Sequence, residues 1–366
     1  MHRSRRPVTR TVGIGTAGAT AALLLLTVAC ARPAEAPSGT GGTGGTGAGQ
    51  QVQSTTGADG TLCTAQTYNG GVPKLDLKTA TVGFAQSEKE ANPFRITETE
   101  SIKQEATKRG IKLITTNAQS DLNKEIADIQ SMIAQGAKAL IISPLNSEGL
   151  DPALKAAQDA KVPIMTIDRL LTSKKACTDY IGWIGSDFVE QGKRAADAMI
   201  TATGGTGNVA ILLGASGVNV TVDRTQGFKD QLAAKKSGLK VVAEQTADFT
   251  REKGRAVTEQ LISANPDIGA IYAENDEMAL GAVAALKAQG KQPGAVKIIT
   301  IDGTQGAVQG IVDGWIAGVI ESNPRFGPLA FQALEDFYGK GVPAKTIIAD
   351  KEYTQQNAKA ELANAY

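Results

Sequence analysis

VPIMTIDR, residues 162–169, is an apolar run ended by an adjacent carboxylate and guanidinium. Proline lacks the N–H that a central ladder needs, so Pro163 fits only the first residue of a strand. Ile164 to Ile167 then reads as a strand buried on both faces, the pattern of a parallel sheet. Asp168 and Arg169 fall at its carboxyl end. Ligands of open α/β sheets bind beyond that end, so the pair stands where hydroxyl groups could be gripped from both sides. A strand-end ion pair facing water is the competing reading of one Asp-Arg dipeptide.

Upstream, strands expected at 80–85, 111–115 and 139–143 alternate with helices over 96–109, 122–134 and 150–160. Gly110 and Gly136 stop the first two helices, and Ile126, Ile129 and Ile133 recur at spacings of three and four. Such alternation builds right-handed βαβ units on a parallel sheet. After Ser186 the rhythm restarts, with strands at 208–213, 239–244, 268–272 and 296–301 separated by further helices. A tail adds strand 317–320, helix 328–338 and strand 346–349. Two sheets in series imply two α/β domains with a cleft between them.

Other strands also end in polar groups. Gln86 and Glu88 follow the first strand, Asn275 and Asp276 the one at 268–272, Asp302 the next and Glu321 the tail strand. Arg224 stands just beyond strand 208–213. Carboxylates, amides and guanidinia of this kind make a hydrogen-bonding cage for a neutral polyhydroxyl ligand. Phe84, Phe94 and Phe249 lie near the same edges, either as core or as platforms for the C–H face of a sugar ring.

Bulk composition narrows the function. The formal charge of +1 gives no electrostatic case for nucleic acid. His2 is the only histidine and lies in a segment expected to be removed, which excludes imidazole catalysis and histidine metal sites. The reading is therefore a binder and not an enzyme, with no metal and no cofactor.

Residues 1–29 carry a basic start and an apolar stretch around Leu23 to Leu26, as a secretory signal does. Loss of its four arginines takes the charge from +1 to −3. Thr27-Val28-Ala29-Cys30 resembles a lipobox, with Cys30 the acylated residue; an ordinary signal cut near Ala29 is the alternative. Ser4-Arg5-Arg6 partly resembles a twin-arginine signal, which leaves the export route open. With Cys30 acylated, Cys63 and Cys177 remain, as a disulfide or as two free thiols. PSGTGGTGGTGAGQ at 37–50 reads as a flexible tether inside a linker over 30–77. No run after residue 30 is long and apolar enough to span a bilayer.

From about residue 78 to 357 the chain resembles periplasmic sugar-binding proteins of the ribose and galactose type. The likeness rests on VGFAQ (82–86), TESIKQEATKRGIKL (99–113), AQGAKALIISP (134–144), VPIMTIDR, VDRTQGFKD (222–230), ADFTREKG (247–254), AENDEMALGA (273–282) and TIDG (300–303). Phe94-Arg95, Asp223-Arg224, the DFTREKG run and Asn323-Pro324 are most similar to galactofuranose-binding proteins. SEKEANPF at 87–94 departs from that family.

The resemblance implies two Rossmann-like, doubly wound parallel-sheet domains joined by three crossover hinge strands near Gly185, Gly303 and Lys340. It implies a first domain of 78–184 with 304–340 and a second of 185–303 with 341–366. Asp168 and Arg169 would hold ring hydroxyls from one domain, and Arg224, Asn275 and Asp302 from the other. Phe84, Gln86 and Arg95 would close one wall and Phe249 the opposite one, with Glu88, Phe94 and Glu321 completing the set. The implied partners are a monosaccharide and a membrane ABC permease with its cytoplasmic ATPase. The implied protein is a monomer, exported and held on the outer face of the cytoplasmic membrane through Cys30. Three rivals share features of this body. A sensory receptor would present bound sugar to a membrane kinase or chemoreceptor. A lactose-repressor-type regulator is opposed by the signal sequence and the missing helix-turn-helix. A glycosidase would use Asp168 and Asp302 as an acid–base pair, but their Arg and Gly neighbours read as a binder's.

Overall fold

The computed structural model describes residues 51–55 and 60–366. The signal sequence, Cys30 and the tether at 37–50 lie outside the described residues. The first lobe contains β1 (Val52–Thr55), β2 (Thr81–Gln86), α1 (Pro93–Arg109), β3 (Lys112–Asn117), α2 (Leu122–Ala134), β4 (Ala139–Ser143), α3 (Asp151–Asp159), β5 (Ile164–Ile167) and β6 (Gly182–Ser186). The chain then crosses into the second lobe. There it forms α4 (Phe188–Thr203), β7 (Thr206–Leu213), α5 (Asn219–Ala234), β8 (Gly238–Thr246), α6 (Arg251–Ala264), β9 (Ile268–Ala273), α7 (Asp276–Ala288), β10 (Lys297–Asp302), α8 (Gln305–Val312) and β11 (Gly318–Glu321). It returns for α9 (Gly327–Phe337) and β12 (Lys345–Ile348), then recrosses for β13 (Glu352–Thr354) and α10 (Ala358–Glu361).

The first sheet has the order β1-β12-β6-β5-β4-β2-β3, parallel except where β1 runs antiparallel to β12. The second has the order β13-β11-β10-β9-β7-β8, parallel except for β13. Helices cover both faces of each, and the central strands are almost wholly buried, Ala139 to Ser143 and Ile164 to Ile167 included. Side-chain caps fix the starts of two helices beside the cleft: Asn92 accepts from the Arg95 N–H at 2.9 Å with Pro93 at the first helical position, and Asn275 accepts from the Met278 N–H at 3.0 Å.

Strand pairing corrects the expected domain limits. β11 pairs with β10, so residues 304–321 belong to the second lobe and not the first. β12 pairs with β6, so the strand at 345–348 belongs to the first lobe and not the second. The three crossings accordingly lie after β6, after β11 and after β12, at 186–188, 321–327 and 348–352, in place of Gly303 and Lys340. Helix α9 does rejoin the first lobe, packed on α1. The β6–β12 pairing joins distant parts of the chain, a choice that local periodicity does not encode.

The expected linker also ends sooner than residue 77. Tyr68 and Leu77 are buried in the first lobe's core, and β1 adds a strand to its sheet. Cys63 is joined to Cys177 by a disulfide, Cα atoms 5.2 Å apart, and Cys63 bridges backbone to backbone with Val342.

Candidate ligand cleft

The carboxyl ends of both sheets face one cavity with about 370 Å³ of empty space. Its lining comprises Glu88, Asn92, Phe94, Arg95, Asp168 and Arg169 from the first lobe, with Val220, Arg224, Phe249, Asn275 and Asp302 from the second. Nine of the sequence-derived residues thus meet there.

The first-lobe wall is an ion network. Arg95, on the first turn of α1, donates Nε to Glu88 Oε2 at 2.8 Å and Nη1 to Glu98 Oε2 at 2.8 Å and to Ser143 Oγ at 3.0 Å. Its Nη2 lies 2.8 Å from Asp168 Oδ2. Arg169 donates Nη2 to Glu88 Oε1 at 2.7 Å and Nη1 to the Leu145 carbonyl, while its buried Nε has no partner among the described residues. Burial alone would raise the Glu88 pKa, but Arg169 and Arg95 outweigh it and hold the carboxyl at about 2. Burial raises Glu98, with Arg95 opposing and Asp168 adding to the rise.

Asp168 sits at φ 61°, a left-handed conformation rare for aspartate, and β6 holds it there. The Asp168 N–H donates to the Ile184 carbonyl at 2.9 Å, and its carbonyl accepts from Trp183 Nε1 at 2.9 Å. Only glycine fits at position 185, because a Cβ there would lie 2.2 Å from the Trp183 ring and 2.9 Å from the Asp168 oxygen.

The second-lobe wall is built differently. Arg224, buried on α5, donates Nε to Gln191 Oε1 at 2.9 Å and Nη1 to the Glu274 carbonyl at 2.6 Å, and its Nη2 stands 3.7 Å from Asp302 Oδ1. Burial raises the Asp302 carboxyl well above the ordinary range; Arg224 opposes this, and Asp276 and Asp168 add to it. Burial likewise raises Asp276 to about 7, and its carboxylate accepts from the N–H groups of Gly303 (2.9 Å) and Thr304 (2.8 Å), fixing the turn after β10. Phe249 (φ 58°) and Asp302 (φ 141°) both occupy positive-φ backbone. Asn275 Nδ2 donates to the Phe249 carbonyl at 3.2 Å, so cap and aromatic wall are tied together.

The lobes touch beside the cleft. Ser147 N–H donates to the Gly217 carbonyl at 3.1 Å, the Asn219 N–H donates to Ser147 Oγ at 2.8 Å, and the Leu170 N–H donates to Asn219 Oδ1 at 3.0 Å. Phe94 meets Tyr366 edge to face with centroids 6.2 Å apart.

Three expected contacts lie elsewhere. Phe84 is wholly buried in the first lobe's core, since its place on β2 turns it under the sheet. Gln86 supports the wall from behind, donating Nε2 to Glu98 Oε2 at 2.8 Å. Glu321 is spent on the crossings, where Oε2 accepts from the Lys351 N–H at 3.0 Å and Oε1 from the Tyr353 hydroxyl at 3.1 Å. Asn92, Val220 and the supporting Glu98 were missed. Asn92 carried a signal, an Asn-Pro helix start, and Glu98 another, its place three residues after Arg95.

Residues 82–339 match the model of the periplasmic binding protein domain family. The chain is 38% identical over 260 residues to the ribose import binding protein of Bacillus subtilis, covering 70% of this chain and 82% of that one. It is 35% identical over 290 residues to the galactofuranose-binding protein of Escherichia coli, covering 77% and 90%. Among solved structures, the periplasmic binding component of the arabinose ABC transporter from Shewanella, bound to α- and β-L-arabinofuranose, superposes with a TM-score of 0.74 at 34% identity, covering 78% of this chain and 95% of that one.

Proposed function

The chain belongs to the periplasmic binding protein family, and from that premise we propose that it captures a neutral monosaccharide in the interlobe cleft and delivers it to the membrane permease of an ATP-driven importer. The observation that carries this reading is the close mixing of donors and acceptors in the lining: the guanidinia of Arg95, Arg169 and Arg224 stand beside the carboxyls of Glu88, Asp168 and Asp302. A phosphate or carboxylate ligand would have to compete with Glu88 and Asp168, which already pair with Arg95 and Arg169. A polyhydroxyl ligand donates to the carboxylates and accepts from the guanidinia, using the free Arg169 Nε among others. Asn275 and Asn92 add amides, and Phe249 offers an apolar face for ring C–H groups.

A five-membered sugar ring is the favoured ligand class, supported by the galactofuranose and arabinofuranose of the similar proteins' names. Closure is a hinge motion at the three crossings, driven by contacts that the sugar makes only when both walls reach it. Specificity comes from buried polar groups left unpaired when a hydroxyl is missing or inverted, at roughly 1–3 kcal/mol each. The mature chain is a monomeric lipoprotein anchored by Cys30 on the outer face of the cytoplasmic membrane, where the Cys63–Cys177 disulfide suits an oxidising compartment.

Thermal melting against a panel of monosaccharides, each at about 1 mM, tests this. A ligand with a dissociation constant near 1 μM stabilises by roughly 4 kcal/mol, a rise of several degrees. No rise with any sugar overturns the monosaccharide reading.

A further inference from the structure

Gln191 lies outside the cavity, yet its side chain connects the cavity to the crossings between the lobes. It sits in the first turn of α4, immediately after the first crossing, and is 1% exposed. Its Oε1 accepts from Nε of Arg224, the guanidinium that faces the cleft, at 2.9 Å. Its Nε2 donates to the Glu321 carbonyl at the second crossing at 3.2 Å, and to Asp350 Oδ2 at the third crossing at 2.7 Å. Asp350 Oδ1 in turn accepts from Ser186 Oγ, at the end of β6, at 3.1 Å. One amide therefore joins a cleft guanidinium to all three connections.

The packing makes this reach possible. Helices α4 and α5 meet at Gly192, where a Cβ would lie 2.2 Å from the Arg224 carbonyl oxygen. Close backbone approach brings the Gln191 amide and the Arg224 guanidinium within hydrogen-bonding range. An amide suits the position because it presents an acceptor to a cation on one side and a donor to a carbonyl and a carboxylate on the other. Neither a carboxylate nor an ammonium could do both.

We infer that Gln191 is the positioning residue that couples occupancy of the cleft to the interlobe hinge. When a ligand engages Arg224, the guanidinium's orientation is passed through the Gln191 amide to the Glu321 and Asp350 crossings, which favours the closed arrangement. This rests on the sugar-capture reading of the same cleft, so the test has one arm that needs no ligand.

Gln191→Met keeps the volume and removes every hydrogen bond of the amide. Gln191→Glu keeps the acceptor for Arg224 but sets a carboxylate against Asp350 and the Glu321 carbonyl. In the ligand-free arm, hydrogen exchange is followed at the amides of Glu321 and Lys351, which bond each other's residues across the second and third crossings. Both variants are expected to exchange faster there than the unaltered protein, while amides in β4 and β9 hold. In the ligand arm, release of the sugar that gives the largest melting rise is followed by stopped-flow fluorescence. Both variants are expected to release it roughly three- to thirtyfold faster, the range of coupling seen for residues that touch neither ligand nor effector. Faster release in Gln191→Met alone would reduce the residue to a prop for Arg224 and overturn the coupling. Unchanged exchange at the crossings in both variants would overturn it as well, whether or not any sugar binds. A protein that answers to no sugar but shows faster exchange overturns the sugar reading and leaves the link to the hinge standing.

Discussion

The two walls of the cleft hold the same kinds of group in different states of readiness. In the first lobe Arg95 is bound by three carboxylates at 2.8 Å each, and Glu88 is shared between Arg95 and Arg169. In the second lobe Arg224 rests on a neutral amide and a carbonyl, with its carboxylate partner Asp302 3.7 Å away. The first wall is preassembled by its own charges, whereas the second rests on neutral partners and stays responsive to what enters. A preorganised wall gives orientation at low entropic cost, and a responsive one allows the ligand to drive closure.

Removing the central cation should separate the walls most sharply. Arg95→Met leaves Glu88, Glu98 and Asp168 buried without their shared partner, and a broken buried ion pair costs about 3–5 kcal/mol. Denaturant unfolding should show a loss of that size; a loss below about 1 kcal/mol would mean the first wall is no more preassembled than the second. Arg224→Met should act the other way round, with modest loss of stability but roughly hundredfold weaker sugar binding by calorimetry, the value of a charged hydrogen bond used chiefly by the ligand. Equal stability losses in the two variants would erase the distinction.

The pH dependence of melting sharpens it further. Burial raises Glu274, behind Arg224, to about 7, with the Thr225 and Gly214 hydrogen bonds opposing. Between the ordinary 4.5 and about 7 only the folded protein keeps that proton, so its contribution is full below pH 4.5 and is lost as pH rises through 7. Glu88 has the opposite sign: its contribution is present above pH 4.5 and is lost as pH falls towards 2. Glu274→Gln should flatten the fall in melting temperature from pH 5 to 7, and Glu88→Gln the fall from pH 4.5 downward. Identical profiles would contradict the assignment of opposite environments.

The smallest effect belongs to the contact between the lobes. Ser147→Ala removes the acceptor of the Asn219 N–H without touching the cavity lining. One net hydrogen bond is worth about 1 kcal/mol, so sugar affinity should fall about fivefold through faster release, with stability almost unchanged.

Much of this site was legible because each βα unit announces its own strand end. Asp168, Asn275 and Asp302 could be placed by where an apolar run stops. What misled was orientation and distance along the chain. Phe84 and Gln86 stand on the same strand as the cleft edge, but one turns into the core and the other props Glu98 from behind. Glu321 ends a strand as Asp302 does, yet it serves the crossings. β6, GWIGS, carries two glycines, and their missing side chains are what lets Asp168, Trp183 and the segment before β12 come together.

The sequence by itself determined the alternation of strands and helices, the two-sheet class and the chemistry of the strand ends, because periodicity, caps and glycine stops act within about a dozen residues. Only the tertiary structure decided which sheet each tail strand joins, which polar groups face the cavity and which amide ties Arg224 to the crossings. Several of those choices depend on contacts between residues more than a hundred positions apart, such as β6 with β12 and Gln191 with Glu321 and Asp350, and no local pattern carries them.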